Sequence, residues 1–178
     1  DALPIYGLDP SWCTIPVSEV SLFPQDQDRA RISVHPPSGS QAQAGKHDFM
    51  VRVISRENPA ERTSVPATLE VLQKLALEVG LSPQRATSTR DGVFQVTLAN
   101  PSNVELTVDL SAADPEEGCA FRFEPQRVSL GPGQIRRVPL RVTPKAKAPR
   151  GEVRRYDFTV RAASATAQIE AQVVMGSL

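Results

Sequence analysis

The 178-residue sequence predicts an all-β protein of two tandem antiparallel β-sandwiches, the first lacking its opening strands. Three observations predict it. The chain repeats itself: Asp48-Phe49-Met50-Val51-Arg52 returns as Asp157-Phe158-Thr159-Val160-Arg161, and Ile32-Ser33-Val34-His35-Pro36 returns as Leu140-Arg141-Val142-Thr143-Pro144. Asp9-Pro10 with Cys13 matches Asp114-Pro115 with Cys119, and Ser21-Leu22-Phe23-Pro24 matches Ser129-Leu130-Gly131-Pro132. The copies are offset by 105 to 109 residues, about the length of one small sandwich domain. Short segments with apolar residues at every second position, the period of a half-buried strand, alternate with turn residues. Finally, 16 prolines favour loops and strand edges over helices.

Taken in order, the second copy shows the full plan. Leu75–Val79 alternates and is the expected first strand. Gly92–Leu98 alternates strongly and runs into the turn Asn100-Pro101-Ser102-Asn103. Val104, Leu106, Val108 and Leu110 then share one face. Ala120–Phe123 is a short strand closed by Glu124-Pro125. Arg127–Leu130 leads into the tight turn Gly131-Pro132-Gly133, and Arg136–Val142 follows. Lys145–Arg154 is a basic loop, and Tyr156–Ala162 with Ala167–Val174 completes the domain. No stretch carries helical periodicity beyond about one turn.

The division is expected at 1–72 and 73–178, with Leu72-Gln73-Lys74 as a short linker setting the copies end to end. The first copy starts where the Val108–Leu110 region of the second does, so roughly 35 residues have no counterpart before Asp1. Either that part precedes Asp1 in a longer chain or a neighbouring chain supplies strands. In both cases the alternating residues of Val20–Val34 and Phe49–Val53 need an opposing sheet. Phe49 and Phe158 are expected as equivalent core residues.

The residues then carry a resemblance. Asn100-Pro101-Ser102-Asn103, Phe123-Glu124-Pro125, Leu130-Gly131-Pro132-Gly133-Gln134 and Tyr156-Asp157-Phe158-Thr159-Val160 resemble the tandem immunoglobulin-like modules of bacterial envelope proteins, the NPCBM-associated and CARDB-type sandwiches. These motifs are turns and core positions. The resemblance therefore implies a spacer, assembly part or accessory binding module rather than a reaction. It alone points to the cell envelope or the extracellular space.

The chemistry-bearing residues are sparse. His35 and His47, the only histidines, are replaced by Thr143 and Tyr156 in the sister copy, which favours surface roles. No nucleophile elbow, Walker loop or dinucleotide fingerprint occurs, and no catalytic, cofactor-binding or metal residues are assigned. Asp114, Glu116 and Glu117 lack the spacing of a calcium loop. Cys13 and Cys119 occupy equivalent points of separate copies, beyond the reach of a disulfide, and are expected as free, packed thiols.

Charge is uneven: residues 1–118 hold 9 basic and 16 acidic side chains, a net −7, whereas residues 119–178 hold 11 and 4, a net +7. The candidate anion or partner contacts are Arg136, Arg137, Lys145, Lys147, Arg150, Arg154 and Arg155, with Arg141 between them. They would suit an acidic partner or an anionic polymer, although arginines paired with local carboxylates are the plainer reading. Sequence-specific nucleic-acid binding is not expected without stacking aromatics. Trp12 is a candidate for stacking on a glycan, against a packing role at the end of a sandwich. No run approaches 18 apolar residues, so no transmembrane helix is expected. The expectation is a non-enzymatic structural or protein-interaction segment; the alternative is an accessory module binding glycan or anionic polymer.

Overall fold

The computed structural model describes residues 5–146, 149 and 152–178. It is nearly all β, with antiparallel sheets in two groups. Two compact units emerge: one runs to Ser38 and includes Ala42–Leu72, and the other comprises Gly39–Gln41 and Gln73–Leu178.

The first unit contains β1 (Ile5–Tyr6), β2 (Cys13–Thr14), β3 (Ser33–Val34), β4 (Gly45–Ile54) and β5 (Arg62–Val71). The β4–β5 hairpin pairs over its whole length, from Gly45↔Val71 to Ile54↔Arg62. β1 adds to the other side of β4 through Ile5↔Val51, and β2 with β3 forms a separate two-stranded ribbon.

The second unit contains β6 (Glu78–Ser82), β7 (Gly92–Ala99), β8 (Leu106–Ala113), β9 (Cys119–Phe123), β10 (Arg127–Leu130), β11 (Ile135–Pro144), β12 (Asp157–Ser164) and β13 (Gln172–Ser177). Its two sheets run β6-β7-β11-β9 and β10-β8-β12-β13. With β10 set aside, this is the strand order of a seven-stranded immunoglobulin sandwich. Alternate residues of both sheets, including Phe94, Val96, Leu98, Leu106, Val108, Leu140, Phe158 and Val160, are almost wholly buried between them. Phe158 meets Phe94 edge-on, with ring centroids 5.0 Å apart.

Three strands depart from the sequence expectation; β8 is Leu106–Ala113 where Val104–Leu110 is expected, and two others shift further. The first strand of this unit is Glu78–Ser82 rather than Leu75–Val79, because its ladder partner β7 offers Val96–Ala99 to Glu78–Leu81. Leu77 is nevertheless buried ahead of the strand. The last strand is Gln172–Ser177 rather than Ala167–Val174, in register with Asp157–Ala162 of β12. Ala167 and Ile169 only pack against the core from the preceding loop.

The turn at Asn100 knits one end of the second sandwich together. The buried Asn100 amide donates to the carbonyls of Val104, Leu130 and Gly131 at 2.8, 2.9 and 3.1 Å, and its Oδ1 accepts from the Ser102 N–H at 3.1 Å. The Ser102 hydroxyl also donates to Oδ1. Gly133 N–H donates to the Asn100 carbonyl at 2.7 Å, and Gly133 needs its positive φ of 72° to make that turn. Asn100 and Ser102, both buried, are thereby partnered inside the protein.

The first unit is the smaller version of the same plan. β1, β4 and β5 correspond to β8, β12 and β13, and β2 and β3 correspond to β9 and β11. Among the described residues, nothing in this unit corresponds to β6, β7 or β10. The consequence is packing: of the 20 buried hydrophobic residues among those described, only Ile5, Cys13 and Ala42 belong to the first unit. Phe49 is half-buried, whereas its equivalent Phe158 is 2% exposed. The expectation of matched core roles thus fails for Phe49, because the strands that cover Phe158 have no counterpart over it.

Candidate functional site

The feature that distinguishes this chain from two closed sandwiches is the inner face of the β1-β4-β5 sheet. Residues paired directly across an antiparallel ladder point to the same face. Phe49 pairs with Ala67, Val51 with both Ile5 and Val65, and Val53 with Thr63. Ile5 is buried, and Phe49 and Val51 are half-buried, while Val53 and Val65 are 59% and 56% exposed. The equivalents of Val51 and Val53 in the second unit, Val160 and Ala162, are wholly buried.

The connection between β2 and β3 does not form the alternating strand expected from Val20 to Val34. Only Ser33 and Val34 are in a strand, and Val17, Val20, Leu22 and Phe23 are exposed. Its two sequence motifs match Ser129–Pro132 and Leu140–Pro144, which lie in the closed second unit. The outer face of the β1-β4-β5 sheet is mixed, with Tyr6, Met50 and Ile54 exposed beside polar Asp48, Arg52 and Thr68. There the Arg52 guanidinium sits 4.5 Å from the Tyr6 ring centre, a cation–π contact.

Trp12 ends a single 3₁₀ turn, Pro10–Trp12, capped by the Asp9 carboxylate, which accepts from Ser11 N–H at 2.9 Å and Ser11 Oγ at 2.7 Å. Those hydrogen bonds hold the Asp9 carboxyl below its ordinary pKa. The half-buried indole meets His47 edge-on at 6.0 Å, and the Trp12 carbonyl accepts from His35 N–H at 2.7 Å. Three residues of this copy that the sequence singled out are therefore brought together at one place.

The basic candidates are not brought together in that way. Arg136 and Arg137 open β11, whereas Lys145 follows its end, so about 30 Å of strand separates them. Arg136 shares the side of buried Val138 but lies exposed at the strand end, and Arg137 faces outward with Arg141. Arg154 and Arg155 precede β12; Arg155 pairs with Asp157 at 2.9 Å and donates to Ser177 Oγ at 3.2 Å. Lys147 and Arg150 lie outside the described residues. β11 lies between β7 and β9 rather than at a sheet edge, although β9 reaches only Leu140–Pro144.

Local carboxylates answer several arginines of the basic half. Arg127 grips Asp109 with two bonds of 2.6 and 3.0 Å, Arg122 pairs with Glu124, and Arg141 pairs with Asp91. Thr143 Oγ1 also donates to Asp91. The Arg127 hydrogen bonds hold the Asp109 carboxyl below its ordinary range. A groove of about 300 Å³ between β8 and β9 has Ala112, Phe121 and Phe123 as its apolar lining and Ser111, Arg122 and Gln126 around it.

Both cysteines are buried and free. Burial pushes both thiols up in pKa, reinforced by Asp9 at Cys13 and by Asp114 at Cys119, where Lys145 opposes the shift. Asp114 serves its own turn, accepting from Gly118 N–H at 2.6 Å. Among the described residues no group of three His, Cys, Asp or Glu side chains is placed to hold a metal ion. No described helix is long and apolar enough to cross a membrane.

No family model matches the chain, and comparison with curated proteins found no match. Among solved structures, the native conformation of E. coli alpha-2-macroglobulin, seen by cryo-electron microscopy, aligns with a TM-score of 0.42 and 9% sequence identity. The alignment covers 87% of this chain and 10% of that one.

Proposed function

We propose that this chain is a non-enzymatic structural and protein-interaction segment of a larger bacterial assembly, in which the first copy docks a neighbouring polypeptide and the second is a rigid spacer. One observation carries the reading: two copies of one plan differ in closure, and the difference is an uncovered apolar face on the first. Val51, Val53 and Val65 form a contiguous strip on that face, and its exposed part is the kind of surface that binds another protein. The bacterial and envelope setting rests on the resemblance of the turn motifs alone.

Dye binding and light scattering test this reading. The whole chain should bind an apolar-surface dye and self-associate as concentration rises. A double substitution, Val53→Lys with Val65→Glu, should reduce both without altering the second copy. A monomeric chain with no dye-accessible apolar surface would remove the reading.

A further inference from the structure

We propose that the first copy takes up an extended polypeptide strand, antiparallel to Gln27–Val34 and donated from outside residues 1–178, whose apolar side chains recur at every second position. This deepens the docking role proposed above and rests on it.

The sister copy is the template. Gln27–Val34 is the sequence equivalent of Ile135–Val142, which is continuous strand paired residue for residue with β7, from Ile135↔Ala99 to Val142↔Gly92. Of Gln27–Val34 only Ser33 and Val34 are in a strand, and no equivalent of β7 lies alongside among the described residues. The direction of the ladder is also fixed. His35 N–H donates to the Trp12 carbonyl on the β2 side, so alternation along the strand turns the N–H and C=O of Val34 to the other side. If the strand continues backwards, Ile32 and Ala30 present theirs on that same open side. A sheet edge of this kind recruits a strand by main-chain hydrogen bonds, with side-chain pockets giving the specificity.

The pockets follow from register. Leu140 faces Phe94 across the β7–β11 ladder, and Phe94 packs edge-on against Phe158. Ile32 and Phe49 are the equivalents of Leu140 and Phe158. A donor residue opposite Ile32 would therefore cover half-buried Phe49, and a large apolar or aromatic side chain suits it. The next apolar residue along the donor falls opposite Ala30, as Val96 does opposite Val138. Among the described residues no strand of that pattern is left without a partner strand, so the donor comes from elsewhere. β7, β8, β11 and β12 each already lie between two neighbours.

A synthetic peptide of Asp91–Asn100 is the probe, with a scrambled peptide of the same composition as control, and amide hydrogen exchange of the whole chain is the readout. Saturating peptide should slow exchange across Gln27–Val34 by about tenfold or more, and the scrambled peptide should not. Ile32→Pro removes an N–H on the open side and should abolish that protection. Arg31→Pro should keep it, because that N–H turns to the β2 side and Pro139 occupies the equivalent position in β11. Absence of peptide protection in a chain that still binds apolar dye overturns strand addition and leaves the docking face standing. Equal loss in both proline variants does the same. Gln27–Ile32 already protected in a chain that binds no dye overturns both. Protection arising from a homodimer without peptide replaces the donor with a second copy and overturns the proposal.

Discussion

Gln27–Val34 and Ile135–Val142 occupy equivalent places in two copies of one plan, yet the first gives two residues of strand and the second belongs to a strand of ten. Propensity leans the same way, since Asp28 and Ala30 stand where Arg136 and Val138 do. The larger difference is the neighbour: β11 lies against β7 along most of its length, and Gln27–Ile32 has no strand beside it. Strand formation here is a property of the pairing more than of the segment. The same contrast runs through packing, from wholly buried Val160 and Ala162 to half-buried Val51 and exposed Val53.

The largest effect expected from this contrast is at the two phenylalanines. Phe158→Ala removes a ring packed on Phe94 and Phe121 and should destabilise the second copy by about 3–5 kcal/mol in chemical denaturation. Phe49→Ala should cost less, about 2 kcal/mol, because its ring is only partly covered. Equal costs would mean that the first copy has a closed core. Next in size is Asn100→Ala. It leaves three carbonyls at one end of the second sandwich without their shared donor, and about 2–3 kcal/mol should be lost in the same assay. The first copy should be untouched by that change.

The thiols give a smaller contrast. Both are buried and carry raised pKa values, so alkylation near neutral pH should lag a free thiol and accelerate as the pH rises. Cys13 should nevertheless react faster than Cys119, by about tenfold, because β2 and β3 open locally more often than a strand held in a four-stranded sheet. Mass analysis of timed alkylation reads both sites at once. The smallest effect is electrostatic. Asp109 has a folded pKa below its unfolded one, so its contribution is present above the ordinary aspartate value and fades as pH falls through the lower folded value. The pair is exposed, so Asp109→Asn should barely move the melting temperature at neutral pH, and the shift should shrink further in acid.

Much of the second copy was legible from period and punctuation. Leu106, Val108 and Leu110 alternate because one face of β8 is buried, and Gly131-Pro132-Gly133 marks a turn whose last residue takes a positive φ that favours glycine. Ala167–Val174 also alternates in part, but register with β12, a long-range property, sets the strand at Gln172–Ser177. Phe49 departs from the sequence expectation for a related reason. The repeat identifies its position in the plan, while its burial depends on strands that are not in the sequence. The basic residues show the same limit: Arg136 and Lys145 are near in sequence, but an extended strand holds them far apart. The role of Asn100 had no periodic signal at all, since an amide between three carbonyls is visible only once the turns meet.

Amide hydrogen exchange on the whole chain without any ligand tests the central claim most directly. The account predicts that amides of β7, β8, β11 and β12 exchange only with global unfolding of the second copy, that β4 and β5 exchange faster, and that Gln27–Ile32 exchange close to the unfolded rate. Protection of Gln27–Ile32 and of β4 equal to that of β11 and β12 would contradict it, for the first copy would then be as closed as the second.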